Sequence, residues 1–244
     1  RTGKGCLSYM IIANKEAIVV DASLDTNVYD NYLSAHDVVL KYVIETHTHA
    51  DHLSRSKELA EKKNATLFLP PHNKLHFEYQ PIENDTVFKL GNLSVSAIST
   101  AGHTIESMSF NIDNKVLLTG DTLFTNGVGR PDLKADTEGM KVKAKLLYQS
   151  LQKLLALNDE IIVLPAHTSQ PIEFDNLLIH STLKKVKSIP LLQLNEIDFI
   201  ETIISRIPAT PANYLVIVDK NLQGDFSDIN PIDLEAGANR CAIS

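Results

Sequence analysis

The sequence has few cysteines: only Cys6 and Cys241, near opposite ends of its 244 residues. A secreted domain held together by a disulfide framework carries more cysteines than this. The cysteine content therefore favours a reducing compartment such as the bacterial cytoplasm, with one disulfide between the two ends as the alternative.

Positive charge is also scarce, since 23 Lys and Arg stand against 30 Asp and Glu and the net charge is −7. Proteins that bind nucleic acids or anionic membranes in general gain affinity from a surplus of Lys and Arg. The longest apolar runs, such as Met10–Ala13 and Ile161–Leu164, are far shorter than the roughly 20 residues that cross a bilayer. We therefore expect neither a nucleic-acid partner nor a membrane partner.

The sequence is 43% hydrophobic and 22% charged, which is typical of globular proteins. Short apolar runs separated by turn residues fill the first half, and apolar residues at helical spacing dominate the second half. The predicted strands are Leu7–Ile12, Ala17–Val20, Val38–Ile44, Thr66–Leu69, Val87–Leu90, Leu93–Ile98, Met108–Ile112, Val116–Leu118 and Ile161–Leu164. The predicted helices are Leu53–Lys63, Met140–Leu155, Leu178–Lys187, Ile197–Ile207 and Asn213–Leu222. This order predicts a single layered domain of mixed α/β type.

The segment THTHADH at residues 46–52 contains four ligand-type side chains, which are His47, His49, Asp51 and His52. It lies where a predicted strand ends and a predicted helix begins. Imidazole and carboxylate groups at this density commonly hold a divalent metal ion. A solvated polar turn is the alternative, and such turns rarely concentrate four potential ligands in so few positions.

Three further ligand-type residues, His103, Asp121 and His167, each follow a predicted strand. Any one of them alone would more often be a helix cap or a turn former. Together they repeat one design, in which a rigid strand delivers one ligand to one end of a sheet.

These residues, taken in order, resemble the five-motif metal site of the metallo-β-lactamase superfamily, and the resemblance covers most of residues 5–170. It implies an αββα sandwich of the α/β (α+β) class, with the metal site at one sheet edge. We expect residues 1–172 to form the core and residues 173–244 a helical C-terminal extension packed on the same domain. The superfamily carries out many reactions, so the fold alone does not fix the function.

Two segments narrow the choice of reaction. The loop TLFTNGVGRPDL at residues 122–133 resembles that of persulfide dioxygenases, also called sulfur dioxygenases, of the mitochondrial and bacterial type. The ending Glu235–Cys241 is similar to their Asn-x-Arg-Cys ending, and Cys6 matches a cysteine near their N-terminal strand. Hydroxyacylglutathione hydrolases (glyoxalase II) share only part of the loop and carry a longer C-terminal helical domain.

The resemblance implies oxidation of a low-molecular-weight persulfide, such as glutathione persulfide, by O₂ to sulfite and free thiol at a mononuclear non-haem Fe²⁺. The implied catalytic and metal ligands are His47, His103 and Asp121. The other ligand-type residues would hydrogen-bond groups around the metal or hold a second metal; they are His49, Asp51, His52 and His167. Because all seven ligands of a binuclear hydrolase are present, thioester hydrolysis with one or two Zn²⁺ or Mn²⁺ ions is the alternative.

Arg130 is the candidate substrate contact, because a guanidinium group can bind a carboxylate of glutathione through two hydrogen bonds. The alternative is a structural arginine that pins its loop to Asp132. The stretch Thr168–Ile189 is longer than in the mitochondrial type, and we expect a lid or a subunit contact there. The expected partners are a small-molecule persulfide and O₂, a second copy in a homodimer, and a rhodanese-type sulfurtransferase. A rhodanese domain upstream of Arg1 stays open as an alternative.

Overall fold

The computed structural model describes residues 2, 5–72, 74–168, 177–211, 213–236 and 240–244. The strands are β1 Tyr9–Ala13, β2 Glu16–Val20, β3 Val39–Ile44, β4 Thr66–Leu69, β5 Gln80–Pro81, β6 Val87–Leu90, β7 Leu93–Ser99, β8 Met108–Ile112, β9 Val116–Leu118, β10 Val128–Gly129, β11 Ile162–Leu164, β12 Ser181–Thr182 and β13 Ala242–Ile243. The helices are α1 Thr26–Ala35, α2 Ser56–Lys63, α3 Thr137–Leu155, α4 Leu183–Val186, α5 Glu196–Ser205, α6 Tyr214–Gln223 and α7 Pro231–Leu234, and a 3₁₀ helix covers Pro190–Gln193.

The first sheet has the strand order β1-β2-β3-β4-β5. β1 and β2 form an antiparallel hairpin, whose two turn residues Asn14 and Lys15 both have a positive φ, of 49° and 65°. Two left-handed residues in a two-residue turn match the right-handed twist of the flanking strands. The remaining neighbours, from β2 to β5, are parallel.

The second sheet has the order β12-β11-β9-β8-β7-β6, with β9 and β11 parallel and the other neighbours antiparallel. The inner faces of the two sheets share one apolar core, in which Ile18 and Ile44 of the first sheet join Phe88 and Phe110 of the second. This core holds the two sheets face to face, as in a sandwich.

Helices cover both outer faces. Side chains alternate along β2, so that Val19 packs with Tyr29 and Leu33 of α1 while its neighbours face the other sheet. On the opposite side, Leu147 of α3 and Phe199 of α5 belong to the cluster that covers the second sheet. The αββα sandwich expected from the sequence is therefore confirmed. Within the described ranges, no helix is long and apolar enough to cross a membrane.

The predicted helix over Leu178–Lys187 is wrong in its first half. The structure places β12 at Ser181–Thr182, where it pairs antiparallel with β11, and restricts α4 to Leu183–Val186. The Thr182 hydroxyl accepts a hydrogen bond from the Lys185 amide and begins the helix there. Of the stretch expected to form a lid, residues 169–176 lie outside the described residues.

Candidate metal centre

Four loops bring ligand-type side chains to one edge of the sandwich. His47 follows β3, His103 follows β7, Asp121 follows β9 and His167 follows β11. β7 and β9 each run antiparallel to β8, and β9 runs parallel to β11, so their carboxyl ends meet at the same edge. The buried strands fix the positions from which these loops begin.

Three of these side chains converge tightly. One potential ligand atom each of His47, His103 and Asp121 lies within 4.8 Å of the others. The Nε2 atoms of His47 and His103 lie 3.9 Å and 3.5 Å from Oδ2 of Asp121. All three residues are buried. Two imidazoles and one carboxylate in this arrangement match the donor set of mononuclear iron oxygenases.

Hydrogen bonds orient both imidazoles of this triad. Nδ1 of His103 lies 2.8 Å from the backbone carbonyl of Arg130, so it must donate and leave the lone pair on Nε2. The Thr46 hydroxyl donates to Asp21 at 2.9 Å, so Nδ1 of His47, at 2.9 Å, must donate to the Thr46 oxygen. Both imidazoles therefore direct a lone pair at the triad, as metal ligands do.

Burial sets the protonation states. It lowers the pKa of His103 to about 4 and that of His47 below its usual value, so both are neutral at pH 7. Burial opposes ionisation of Asp121, but the charge of His167 and its hydrogen bond hold the pKa of the Asp121 carboxyl well below its usual range. The triad thus presents two neutral nitrogens and one anion.

Several buried atoms at this edge have no hydrogen-bond partner within the described part of the chain, and four of them are Nε2 of His47, Oδ1 of Asp121, Nε2 of His52 and Nδ1 of His167. Buried polar atoms are almost always paired, because leaving one unpaired costs about 1–3 kcal/mol. A bound cation would satisfy them, and the residues present therefore fit a metal ion.

His49 does not join the triad. Its Nε2 lies 2.9 Å from Oε2 of Glu45 and 3.2 Å from Oδ1 of Asp21. Although burial works against the charged form, these two carboxylates raise the pKa of His49 well above its usual value. Nδ1 on the other side of the same ring lies 3.8 Å from Oδ1 of Asp51, so the ring stands between two sets of carboxylates. Sequence reasoning missed Asp21 and Glu45; the one available signal was that each comes directly after the last residue of a buried strand.

The remaining ligand-type residues form a second group beside the triad. Oδ1 of Asp51 lies 3.0 Å from Nδ1 of His52, and Nε2 of His167 lies 3.0 Å from Oδ2 of Asp121. Burial, together with the carboxylates of Asp121 and Asp51, raises the pKa of the Cys241 thiol well above its usual value. This second group thus contains a cysteine in addition to the histidines and aspartates that the sequence predicted.

The family model described as "Metallo-beta-lactamase superfamily" matches residues 1–167. The chain belongs to the metallo-β-lactamase superfamily.

Within the superfamily, the chain is 31% identical over 166 residues to the hydroxyacylglutathione hydrolase of Bartonella tribocorum. That match covers 66% of this chain and spans 62% of the length of the relative. The crystal structure of ETHE1 from Myxococcus xanthus superposes with a TM-score of 0.77 at 25% identity and covers 90% of this chain and 94% of that one. A metallo-beta-lactamase from Staphylococcus aureus gives a TM-score of 0.78 at 23% identity, with 91% and 74% covered, and shows the shared fold.

In this superfamily member, Arg130 is fully buried and all five of its N–H donors have partners. Nε and Nη2 each donate to the Asp132 carboxylate at 2.8 Å. The other donors bind the carbonyls of Pro208, Ala209 and Arg240 at 2.9–3.2 Å. Because no donor is left for a substrate carboxylate, the structure favours the alternative in which Arg130 pins its loop, rather than a substrate contact.

A cavity of about 560 Å³ opens onto His103. Its apolar wall is made of Ala50, Leu133, Tyr214, Val218 and Leu222, and its polar lining includes Thr48, His72, Lys74, Glu106, Lys134 and Lys143. Nζ of Lys143 donates to the Leu133 carbonyl at 3.1 Å, and burial lowers the pKa of Lys143 to about 8. Sequence reasoning did not single out Lys143, because it lies on an otherwise ordinary amphipathic helix.

Proposed function

We propose that this protein oxidises a low-molecular-weight persulfide with O₂ at one ferrous ion. The balanced reaction takes one persulfide RSSH, one O₂ and one water to one free thiol RSH, one sulfite and two protons. The thiol carrier we propose bears a carboxylate, as glutathione does.

The observation that carries this proposal is the donor set of the buried triad, which has two imidazoles and one carboxylate. A binuclear hydrolase of this superfamily would use all seven ligand-type residues, and His49 is one of them. In the described part of the chain, His47 and His103 converge on Asp121, whereas Nε2 of His49 contacts Glu45 and Asp21. The first metal position then has one carboxylate and two imidazoles, which leaves positions open for O₂ and a sulfur ligand.

Similarity to two known proteins also supports a dioxygenase over a hydrolase. ETHE1, a persulfide dioxygenase, is matched over 94% of its length. The hydroxyacylglutathione hydrolase is matched over 62% of its length, so about a third of that relative has no counterpart in the match. The superposition on ETHE1 over nearly the whole length of both chains supports the dioxygenase architecture.

A ferrous ion at the triad would supply the one-electron chemistry that O₂ needs to react with a closed-shell sulfur compound. The protein's own residues hold and orient the reactants. The Arg130 carbonyl fixes the ring of His103, and the apolar wall formed by Leu133 and Val218 excludes water from one side of the cavity. Lys143 places a positive charge where an anionic thiol carrier would lie.

The test is O₂ uptake by protein loaded with Fe²⁺ under anaerobic conditions and then given glutathione persulfide. We expect about one iron per chain and one sulfite for each O₂ consumed, as the three-ligand site requires. His103→Ala should lose the iron and the activity, whereas His36→Ala, at an exposed histidine after α1, should keep both. Cleavage of a hydroxyacyl thioester of glutathione by protein with two bound metals, without O₂ uptake, would assign the protein to the hydrolases instead.

A further inference from the structure

Among the described residues that line the cavity beside His103, Glu106 is the one carboxylate. It lies three residues after His103, in the loop that joins β7 to β8. Its Oε1 accepts a hydrogen bond from the Thr48 amide at 3.2 Å. Because Thr48 directly follows His47, the Glu106 carboxylate lies against the loop that carries candidate metal ligands.

The Glu106 side chain is ionised, and the described part of the chain gives it no cationic partner. The residue is half-buried, and it forms no ion pair with any described residue. Although burial opposes ionisation, its own backbone amide and that of Thr48 hold the pKa of the Glu106 carboxyl below its usual value. A negative charge held partly out of water gains from a cation that enters the cavity beside it.

Lys143 supplies a positive charge elsewhere on the same lining. Burial lowers the pKa of Lys143 to about 8, although the charge of Glu106 acts in the opposite direction. The two charges therefore influence each other, but no ion pair joins them. Two other cationic side chains of the lining, Lys74 and Lys134, are exposed, so water weakens their attraction for a ligand. A cavity with separated charges of opposite sign is complementary to a zwitterion.

The size and the apolar wall of the cavity fit a ligand of several functional groups. A volume of about 560 Å³ is within the range of pockets that enclose drug-sized molecules. Tyr214, Val218 and Leu222, spaced four residues apart on α6, form an apolar wall. Such a wall packs against the hydrocarbon part of a ligand, and the few charged groups fix its orientation.

We propose that Glu106 determines substrate specificity by binding an ammonium group of the thiol carrier, so that the substrate is the persulfide of a zwitterionic thiol whose carboxylate lies towards Lys143. This inference rests on the persulfide reaction proposed above, which asks only for a carboxylate on the carrier. A carrier of the same size whose amine is acylated would leave the Glu106 charge unpaired in the cavity and would therefore bind less tightly.

The test is calorimetric titration of S-methylglutathione, and separately of its N-acetyl derivative, into the purified protein without O₂. Neither probe carries a persulfide, so their affinities are measured whether or not the protein oxidises one. We expect the wild-type protein to bind the N-acetyl derivative about tenfold more weakly. Glu106→Gln keeps an oxygen for the Thr48 amide but loses the charge, so it should bind both probes alike. Equal affinities for the wild-type protein, no binding of either probe, or the wild-type ratio in Glu106→Gln would overturn the proposal.

Glu138→Gln is the matched control, because Glu138 is an exposed carboxylate of α3 outside the cavity lining. It should keep the wild-type ratio of the two affinities. If Glu106 served only to hold the Thr48 loop, Glu106→Gln would change the affinities for both probes by the same factor.

The O₂ assay separates failure of this inference from failure of the proposed reaction. Discrimination between the probes without O₂ uptake from glutathione persulfide would keep the ammonium site and remove the reaction. Sulfite formation with the same KM from glutathione persulfide and its N-acetyl derivative would keep the reaction and remove the role of Glu106.

Discussion

The charges of individual side chains at this centre are set by what surrounds them and not by residue type. His103 and His49 are both buried, yet the first is neutral because burial lowers its pKa to about 4, and the second is charged because two carboxylates contact it. Lys143 is intermediate, since burial lowers its pKa to about 8 and it is still mostly cationic at pH 7. Two buried histidines of one site therefore have pKa values shifted in opposite directions.

Lys143→Met should raise the KM for glutathione persulfide about tenfold, which corresponds to about 1.4 kcal/mol of binding free energy, and change kcat little. In the wild-type protein, KM should be low below pH 8 and rise as the pH passes through about 8. The sign follows because the charged form of Lys143 attracts the carboxylate and is lost on deprotonation. Initial rates of O₂ uptake at several substrate concentrations, measured on both sides of that pH, check both expectations.

Lys141→Met is the matched control for this lysine. Lys141 lies on the same helix, α3, but its side chain is exposed and pairs with Glu138 at 2.9 Å. The KM should stay at the wild-type value, since an exposed charge outside the cavity contributes little. Equal KM values for Lys143→Met and the wild-type protein would remove Lys143 from substrate binding.

At the scale of elements, sequence patterns predicted the structures that depend on near neighbours. Strands such as β7 and β8 follow from alternation and turn residues, and α3 follows from its apolar spacing. Helix α1 was missed because only Thr26, Tyr29 and Leu33 of its ten residues are buried, which gives a weak apolar stripe. The error at β12 arose because pairing with β11 outweighed local helix propensity.

In the candidate site too, features set by nearby residues could be predicted from the sequence, and features set by distant residues could not. The positions of His47, His103 and Asp121 could be predicted because each follows a strand. The partners of His49 could not, because Asp21 and Glu45 are brought together only by the parallel pairing of β2 with β3. The five hydrogen bonds of the Arg130 side chain could not be predicted either, because three of them reach residues about 80 to 110 positions away in sequence.

Among the residues of the strands, Gly129 in β10 is packed directly against the triad, so the triad depends on it. A Cβ there would lie 1.8 Å from the Asp121 carbonyl oxygen and 3.1 Å from Cβ of His103. Gly129→Ala should therefore displace the loop that carries Asp121, lower the unfolding free energy by roughly 1–3 kcal/mol and weaken iron binding. Urea denaturation and iron content after dialysis measure the two effects.

Gly139→Ala is the control, because Gly139 lies in the first turn of α3 and the atom nearest to a Cβ there, at 3.0 Å, is a side-chain oxygen of Asp136 and not backbone. Alanine in a helix is favoured over glycine by roughly 0.5–1 kcal/mol, so stability should hold or rise slightly. If Gly129→Ala kept full stability and full iron content, the close packing of β10 against the triad would not matter.

At the scale of the whole molecule, residues of the C-terminal segment contact and support the loop that carries His47, His49 and His52. The Asn221 amide donates to the carbonyls of His49 and His52, each at 2.9 Å, and Glu235 contacts Arg55 at 2.5 Å just after that loop. β13 pairs with β10, next to the ligand-bearing loop. Residues distant in sequence therefore fix the loops that carry the candidate ligands. The rigidity of the metal centre depends on the complete fold.

Arg130 is the strongest single link of this kind, since its side chain joins its own loop to the carbonyls of Pro208, Ala209 and Arg240. Arg130→Met should lower the unfolding free energy by about 3–5 kcal/mol, because it leaves the Asp132 carboxylate and three carbonyls without their donor. Once substrate is saturating, the folded variant should keep most of its kcat, since the guanidinium does not line the cavity.

Arg206→Met makes a fair comparison, because Arg206 also donates to a C-terminal carbonyl, that of Ser244 at 3.0 Å, but does so from the surface. Loss of this hydrogen bond in Arg206→Met should lower the unfolding free energy by less than about 0.5 kcal/mol. Chemical denaturation of both variants, with the KM of each, separates the two roles considered for Arg130. A stable Arg130→Met protein with a raised KM would restore Arg130 as a substrate contact, whereas a destabilised protein with a normal KM places it in the framework that joins the C-terminal segment to the metal centre.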